Sequence, residues 1–317
     1  MHTKLRNFAG ACVALVTVLA AATGWAQEPA TPASAAASPD FASPEAAANA
    51  LADAVRAEDP QAILALMGPE ADEWLFSGDD VADRADWMRF LEAWDRRHAV
   101  AKSDAAQATL LVGDDDWAFP APIVKIGERW AFDGEAGREE VTLRRVGRNE
   151  LDAIQTLLAI VDAQREYAAE DADGDGFNAY ASRFISSPGK KDGLYWAVQP
   201  GEEQSPLGPL VGEAADEGYG KETNPGEPRP YHGYHYRLLT GQGPDAPGGA
   251  YDYLVNGRLL GGFAVVAYPA RYGVSGIMTL MVNHGGVVYQ KDLGDDTAVA
   301  ATAITSFNPD ASWARAE

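Results

Sequence analysis

The chain has 317 residues, with 25 Lys and Arg against 47 Asp and Glu, and its formal net charge at pH 7 is −22. So large an excess of negative charge repels nucleic acid and anionic lipid, which argues against either as a partner. It attracts cationic partners and divalent cations, although a high net charge also serves solubility alone.

The N-terminus has the pattern of a secretory signal. Lys4 and Arg6 precede an apolar run over residues 8–22, which is too short to span a bilayer. Small residues then predict cleavage after Ala26, so that residues 1–26 form a signal peptide. We therefore expect an exported, periplasmic protein.

The mature chain is expected to need neither a disulfide nor a membrane anchor. The only cysteine, Cys12, lies within the predicted signal. No later apolar run approaches membrane length, so we expect no integral membrane segment in the mature chain. Residues 27–40 are rich in Ala, Pro and Ser, a composition typical of a flexible leader.

Residues 41–149 predict a small N-terminal α+β domain in which helices precede a short meander. Ser43 followed by proline is a helix start, with serine as the N-cap. Helices are expected from residue 44 to a break at Asp59-Pro60, over 60–67 and over 82–94, and strands over 108–112, 117–126 and 128–132. The strand at 117–126 and its return at 129–132 resemble the end of a nuclear-transport-factor-like sheet.

Residues 150–317 predict a second domain, again of the α+β class. A helix capped near Asn149 is expected to present an apolar face along its length. A polar excursion rich in Gly and Pro follows over 186–230. Residues 231–293 then alternate aromatic or β-branched residues with polar ones between turn signals, which predicts an antiparallel meander. One long helix packed on this sheet is the simplest architecture.

An acidic turn is the sharpest chemical signal in the chain. Asp171, Asp173 and Asp175 place three carboxylates around one concavity, and Gly176 permits a tight turn. Hard oxygen ligands at this spacing suit Ca²⁺. Position twelve of the loop is Ser182, so this is not an EF-hand. The alternative is a solvated turn whose carboxylates accept local backbone N–H bonds.

Aromatic residues supply the candidate ligand contacts. Tyr195 and Trp196 lie in a predicted loop, where they either form part of a ligand surface or anchor the loop on the sheet. Tyr234 and Tyr236 lie on the first strand of the meander, where tyrosines either line a saccharide or peptide groove or serve as strand formers.

The sequence offers no catalytic constellation. Ser275 lies between glycines, but in a sheet turn rather than in a strand-to-helix elbow. No Gly-rich phosphate loop is present, and no histidine has an identifiable partner for general base catalysis.

The chain closely resembles a bacterial family catalogued as domain of unknown function 2950, over almost the whole mature length. This resemblance implies no particular activity. The segments that carry it include SPEAAANAL at 43–51, RVGRNE at 145–150, DAQREYA at 162–168, DGDG at 173–176, KDGLYW at 191–196 and YHGYHYRLLTGQGP at 231–244.

A remoter resemblance concerns only the fold of the second domain. The AQREYA helix segment at 163–168 and the GYHY strand at 233–236 are similar to the head of type IV pilin-like proteins. A whole domain precedes residue 150 where a pilin has its apolar anchoring helix, so pilin-like polymerisation is not expected.

These observations favour a non-enzymatic binding or interaction module of the cell envelope, stabilised by Ca²⁺ if the acidic turn holds the ion. Its partner would be an envelope protein or a glycan. One alternative is an envelope hydrolase that acts on a saccharide or peptide through carboxylates brought together by the fold. Another is an assembly or chaperone role, in which a sheet edge accepts a partner strand.

Overall fold

The computed structural model describes residues 40–68, 71–199, 201–219 and 229–316. The predicted signal peptide and nearly all of the predicted leader lie outside the described residues. Within them, no helix is long and apolar enough to cross a membrane.

Four helices begin the described chain: α1 (Pro44–Arg56), α2 (Pro60–Met67), α3 (Asp72–Leu75) and α4 (Asp80–Arg96). The Ser43 side chain accepts a hydrogen bond from the backbone N–H of Ala46 at 3.1 Å, which confirms the predicted N-cap of α1. Asp59 and Asp79 cap α2 and α4 in the same way. Short polar caps therefore define where α1, α2 and α4 begin, whereas α3 has no side-chain cap.

The first sheet follows the helices, with strands β1 (His98–Lys102), β2 (Gln107–Val112), β3 (Trp117–Ala118), β4 (Ile123–Ile126) and β5 (Arg129–Phe132). It is antiparallel in the order β1-β2-β4-β5, and β3 pairs with β2. The single strand predicted over 117–126 is wrong, because the chain leaves the sheet between β3 and β4. Pro120 and Pro122 lie in that gap, and proline has no N–H to donate to a ladder.

A 36-residue helix, α5 (Gly134–Ala169), connects the first sheet to the rest of the chain. Its N-cap is Asp133, whose side chain accepts a hydrogen bond from Ala136 N at 3.0 Å. The prediction of a helix start near Asn149 is therefore wrong by about four turns. The boundary predicted between residues 149 and 150 falls inside α5.

The remaining elements are α6 (Gly208–Glu217), β6 (Tyr234–Leu239), β7 (Gly241–Gln242), β8 (Tyr251–Asp252), β9 (Leu254–Val255), β10 (Arg258–Leu259), β11 (Ala264–Pro269), β12 (Met278–Asn283), β13 (Tyr289–Asp292), α7 (Thr297–Ala303) and β14 (Ala314–Arg315). Five of these strands form an antiparallel sheet in the order β14-β13-β12-β11-β6. The second half of α5 lies against β11 and β12 of this sheet. The α+β class and the long helix on an antiparallel sheet are thus confirmed.

Two hydrophobic cores lie within one compact unit. The N-terminal core is built from α1 to α4 and the first sheet, and we call this part the N-terminal half. The second core is built from α5, the loops after it and the large sheet, and everything after α5 is here called the C-terminal half.

Polar contacts connect the C-terminal half to α3 and to α5. Arg271 follows β11 and donates to the backbone carbonyl of Glu73 at 3.0 Å and to that of Phe76. Glu150 on α5 accepts hydrogen bonds from Ile277 N and Met278 N, both at 3.0 Å. Because these contacts bind backbone groups at the ends of α3 and β12, the C-terminal half cannot move away from α3 and α5 without breaking them.

Candidate functional site

The predicted loop residues Tyr195 and Trp196 are half-buried beside the C-terminal end of α5. The ring of Trp196 contacts that of Tyr167 edge to face at 6.5 Å, and the ammonium group of Lys191 lies 5.1 Å from its centre. Tyr195 donates its backbone N–H to Phe184 O at 2.8 Å. These contacts are those expected of residues that hold the loop on α5.

The other predicted pair, Tyr234 and Tyr236, lies elsewhere along α5. Tyr234 is fully buried and its hydroxyl donates to Met278 O at 3.0 Å, so a ligand would not reach it in this conformation. The hydroxyl of Tyr236 lies near Thr156 of α5. Thr156 and Tyr167 are 11 positions apart, or about 16 Å along a helix. The structure therefore does not bring the four aromatic residues into one surface.

The three aspartates of the acidic turn do come together, with ligand oxygens within 4.8 Å of one another. Asp171 accepts hydrogen bonds from Asp175 N and Gly176 N, both at 2.9 Å. Asp175 also accepts from Phe177 N at 3.0 Å and pairs with the guanidinium of Arg258. The carboxylates thus have partners within the chain, as in the solvated-turn interpretation, although the spacing fits a hard cation as well.

A cavity of about 350 Å³ opens beside the acidic turn. It is lined by Asp173, Asp175 and Asp192, with Arg258 as a compensating cation. Burial, and then the negative charges of the aspartates, raise the pKa of Tyr167 to about 12. The cavity therefore has a negative potential, which disfavours an anionic ligand.

A second cleft lies in the N-terminal half, and sequence analysis did not predict it. It encloses about 430 Å³ between α3, α4, the first sheet and the first turns of α5. This volume is in the range of small-molecule binding pockets in proteins. Its lining residues are Trp74, Leu75, Asp83, Asp86, Trp87, Arg89, Phe90, Ala93, Arg96, Val112, Asp115, Trp117, Phe119, Pro120, Ala121, Val141, Arg144, Arg145 and Arg148.

Four aromatic rings form a continuous wall in this cleft. Trp87 and Phe90 lie on one face of α4 and meet edge to face at 6.2 Å. Phe90 meets Phe119 at 5.6 Å, and Phe119 meets Trp117 at 6.2 Å, again edge to face. Trp117 at the mouth is 36% exposed, whereas Phe90 and Phe119 are buried. A flat apolar ligand would find aromatic contacts along the whole depth of the cleft.

Arg145 and Asp83 lie at the floor of the cleft, and both are buried. Arg145 donates to Trp74 O at 2.7 Å and to Leu75 O at 3.1 Å, and it lies 4.0 Å from Asp83. Its Nε has no hydrogen-bond partner among the described residues. Burial raises the pKa of Asp83 to about 6, although the nearby Arg145 opposes the shift.

The rim of the cleft carries ion pairs that are open to solvent. Arg148 donates to both carboxylate oxygens of Asp86, at 2.9 and 2.7 Å. Arg144 pairs with Glu140 at 2.6 Å, and its guanidinium lies 5.7 Å from the ring centre of Trp117. The side chains of Arg144 and Arg148 are each about half exposed. These cations are therefore available at the mouth.

The sequence predicted a helix over 82–94, but nothing in it connected the aromatic residues of that helix with the arginines of α5. The lining residues are spread from position 74 to position 148, and only the fold brings them together. One feature of the sequence could have indicated this site: Arg89 and Arg96 alternate with Trp87 and Phe90 along one helix. Arginine among aromatics is a composition that binding surfaces favour.

Residues 38–316 match the protein family described as "Protein of unknown function (DUF2950)". The match covers most of the chain, so the protein belongs to this family. Neither the curated proteins nor the solved structures contain a match to the chain. The pilin-like and nuclear-transport-factor-like resemblances therefore remain predictions.

Proposed function

We propose that the protein is a ligand-binding module of the cell envelope, and that the cleft of the N-terminal half is its binding site. The observation that carries the proposal is the aromatic wall within a cleft of about 430 Å³, with charged groups at its floor and rim. Cavities that combine apolar walls with a few convergent polar groups are the usual form of small-molecule sites. Export to the periplasm, predicted from the N-terminal sequence, would place this site in the envelope.

Binding without catalysis is favoured because the carboxylates of the cleft already accept hydrogen bonds from other groups of the protein. Asp86 is engaged by both Nη atoms of Arg148, and Asp83 accepts a hydrogen bond of 2.8 Å from Ser77 N. A carboxylate held by two donors is a weak base, because those bonds stabilise its ionised form. Among the described lining residues there is also no serine, cysteine or histidine to act as a nucleophile.

The pKa of Asp83 favours a second candidate function, the envelope hydrolase. A carboxyl group with a pKa near 6 can act as a general acid at neutral pH. Asp86, three residues along the same helix, would then be the second carboxylate of the pair. Its bidentate pairing with Arg148 weighs against this assignment, since a hydrolytic carboxylate must be free to activate water or attack the substrate.

The C-terminal half would then provide the scaffold. With α5 it forms a long helix on an antiparallel sheet, the plan predicted from the pilin-like resemblance, but α5 also extends into the N-terminal half and contributes three arginines to the cleft. We infer that the protein uses this plan to support a binding site rather than to assemble a filament. Calcium is not part of the proposal, because the acidic turn does not contribute to the cleft.

The test is a thermal-shift screen of small molecules against residues 27–317 and against the Trp87→Ala variant. A ligand of the cleft raises the melting temperature of the wild type by mass action and does not raise that of the variant. Replacing Trp196 by alanine is the matched control, because it removes the same side chain from a site outside the cleft. Hits that stabilise the Trp87→Ala variant as much as the wild type would contradict the proposed site.

The same hits distinguish binding from hydrolysis. A binding module leaves them chemically unchanged after prolonged incubation, as judged by mass spectrometry. Hydrolysis products that disappear with Asp83→Asn, a variant of nearly unchanged shape, would establish the alternative function instead.

A further inference from the structure

The charge around the cleft is opposite in sign to that of the whole chain. Five arginines and three aspartates line it, whereas the full sequence has 25 basic and 47 acidic residues. A concave site with low-dielectric walls concentrates the field of the charges around it. Glu140 and Asp114 pair with Arg144 and Arg96 just outside this lining, so the cleft is less repulsive to anions than the remaining surface rather than strongly cationic.

The arginines fall into a floor and a rim. Arg145 at the floor is held by the carbonyls of Trp74 and Leu75, so it supports the backbone of α3 and is not free to follow a ligand. Arg144 and Arg148 at the rim each engage one carboxylate group. A guanidinium has five N–H donors, so both rim arginines retain donors for a further oxygen.

The interior of the cleft is suited to a flat apolar group. The rings of Trp87, Phe90, Phe119 and Trp117 meet edge to face from the inside to the mouth. Aromatic ligands gain from such rings beyond the area that they bury, through edge and offset contacts. The outermost ring, Trp117, lies directly under the guanidinium of Arg144, so the aromatic wall ends where the cationic rim begins.

We propose that the cleft selects an aromatic acid: a flat aromatic body enters along the ring wall, and one anionic group stays at the mouth against Arg144 and Arg148. This inference rests on the proposed function of the cleft as a binding site. It adds a selection rule, namely that removing the anionic group from a ligand weakens binding even when the aromatic body is unchanged.

Two fluorescent probes with the same aromatic body test the rule. 8-Anilinonaphthalene-1-sulfonate carries an anionic group, and N-phenyl-1-naphthylamine is its neutral counterpart. We expect the sulfonate to bind about tenfold more tightly or better, since hydrogen bonds to charged groups are stronger than those between neutral groups. Added salt should weaken its binding and leave that of the neutral probe unchanged.

The matched variants are Arg144→Gln and Arg138→Gln, which remove similarly exposed arginines from the same helix. Arg138 pairs with Glu135 and does not line the cleft. We expect Arg144→Gln to weaken sulfonate binding about tenfold without affecting the neutral probe, and Arg138→Gln to affect neither. Near-UV circular dichroism must show native packing in every variant, because the sulfonate probe also binds partly folded states.

The outcomes separate two claims: that the cleft binds ligands, and that it prefers ligands with an anionic group. If both probes bind equally and both lose binding in Trp87→Ala, the selection rule is wrong and the cleft remains the binding site. If neither probe binds the wild type, the selection rule fails, and the proposed function is then judged by the small-molecule screen. Probe binding that survives Trp87→Ala unchanged overturns the rule and counts against the cleft as well.

Discussion

The hydroxyl of Tyr219, just after α6, donates a 2.8 Å hydrogen bond to the buried carboxylate of Asp79, the N-cap of α4. The same carboxylate oxygen accepts the backbone N–H of Gly233 at 2.9 Å, and the other oxygen caps α4 through Ala82 N. One side chain thus begins a helix of the N-terminal half and binds two segments of the C-terminal half. Gly233 has φ +74° here, and a Cβ would lie 2.4 Å from the Asn149 amide, so only glycine fits.

Replacing Asp79 by alanine is expected to lower the free energy of unfolding by about 2–4 kcal/mol. The loss of a helix cap costs about 1 kcal/mol, and leaving the half-buried Tyr219 hydroxyl without an acceptor and the buried Gly233 N–H unpaired adds to it. Asp59→Ala is the control, because Asp59 caps α2 and its bonds are solvent-exposed. Urea unfolding measures both changes; equal losses for the two variants would show that the contact between the halves contributes nothing.

The two halves are expected to unfold in one cooperative transition, because α5 is part of the second core and also packs against the N-terminal core through Val141. Leu157 is fully buried in the second core, and Leu157→Ala should cost about 2–5 kcal/mol. Most tryptophans after residue 26 lie before residue 131. If the halves are coupled, this distant substitution lowers the urea midpoint of tryptophan fluorescence as well as that of far-UV circular dichroism.

The matched control for this coupling is Leu151→Ala, since Leu151 lies on the same helix and is exposed. It should leave both midpoints nearly unchanged, because a substitution at an exposed position usually alters the free energy of unfolding by less than about 0.5 kcal/mol. A fluorescence midpoint that stays in place while the dichroism midpoint falls would show that the N-terminal half unfolds independently.

Asp83 should make stability depend on pH between about 4 and 6. Burial raises its pKa in the folded state to about 6, above the value of an unfolded aspartate, so the folded protein binds this proton more tightly. The stabilisation is complete when the group is protonated, below about pH 4, and is lost as the pH rises through 6. Comparing the unfolding free energy of the wild type with that of Asp83→Asn isolates the contribution.

The expected difference between those two curves is about 2–3 kcal/mol across this window, in favour of the wild type at low pH. Asparagine keeps an oxygen for Ser77 N but cannot titrate, so it removes only the pH-dependent part. A difference that stays constant from pH 4 to pH 7 would mean that Asp83 has an ordinary pKa. Such a result would also remove the main support for a hydrolase.

The acidic turn is expected to fold without calcium. Local N–H groups and Arg258 already satisfy Asp171 and Asp175, so millimolar Ca²⁺ should not change the melting temperature relative to chelator. Arg258→Ala should remove the competing cation and make the protein responsive to Ca²⁺. A rise in the melting temperature of the wild type that disappears in Asp173→Ala would instead support the calcium interpretation.

Short sequence patterns predicted the starts of α1 and α2 and the strands of the large sheet. Ser43 and Asp59 mark helix starts by side chains that bond to the next turn, and the alternation from Tyr234 onwards marks the strands of the large sheet. The first four turns of α5 were missed because they contain three glycines and a run of charges. Tertiary contacts such as Arg145 with Trp74 O stabilise this segment as a helix.

The cleft could not be predicted for a related reason. Trp87 and Trp117 are 30 positions apart, and Arg148 lies 31 positions further on, so no spacing rule connects them. The aromatic stripe of α4 has the period of an ordinary core face, and the structure shows that part of it faces a cavity. The first half of α5 forms one side of the cleft. Because the start of α5 was not predicted, this side of the cleft could not be predicted either.

The central claim, that ligands bind in the cleft, is tested most directly by following the tryptophan indole N–H signals by NMR during a ligand titration. Trp87 and Trp117 lie in the cleft, whereas Trp196 and Trp313 lie in the C-terminal half. With 8-anilinonaphthalene-1-sulfonate as the ligand, the account predicts saturable shifts of the Trp87 and Trp117 signals, with Trp196 and Trp313 unchanged. Shifts confined to Trp196 or Trp313 would contradict it.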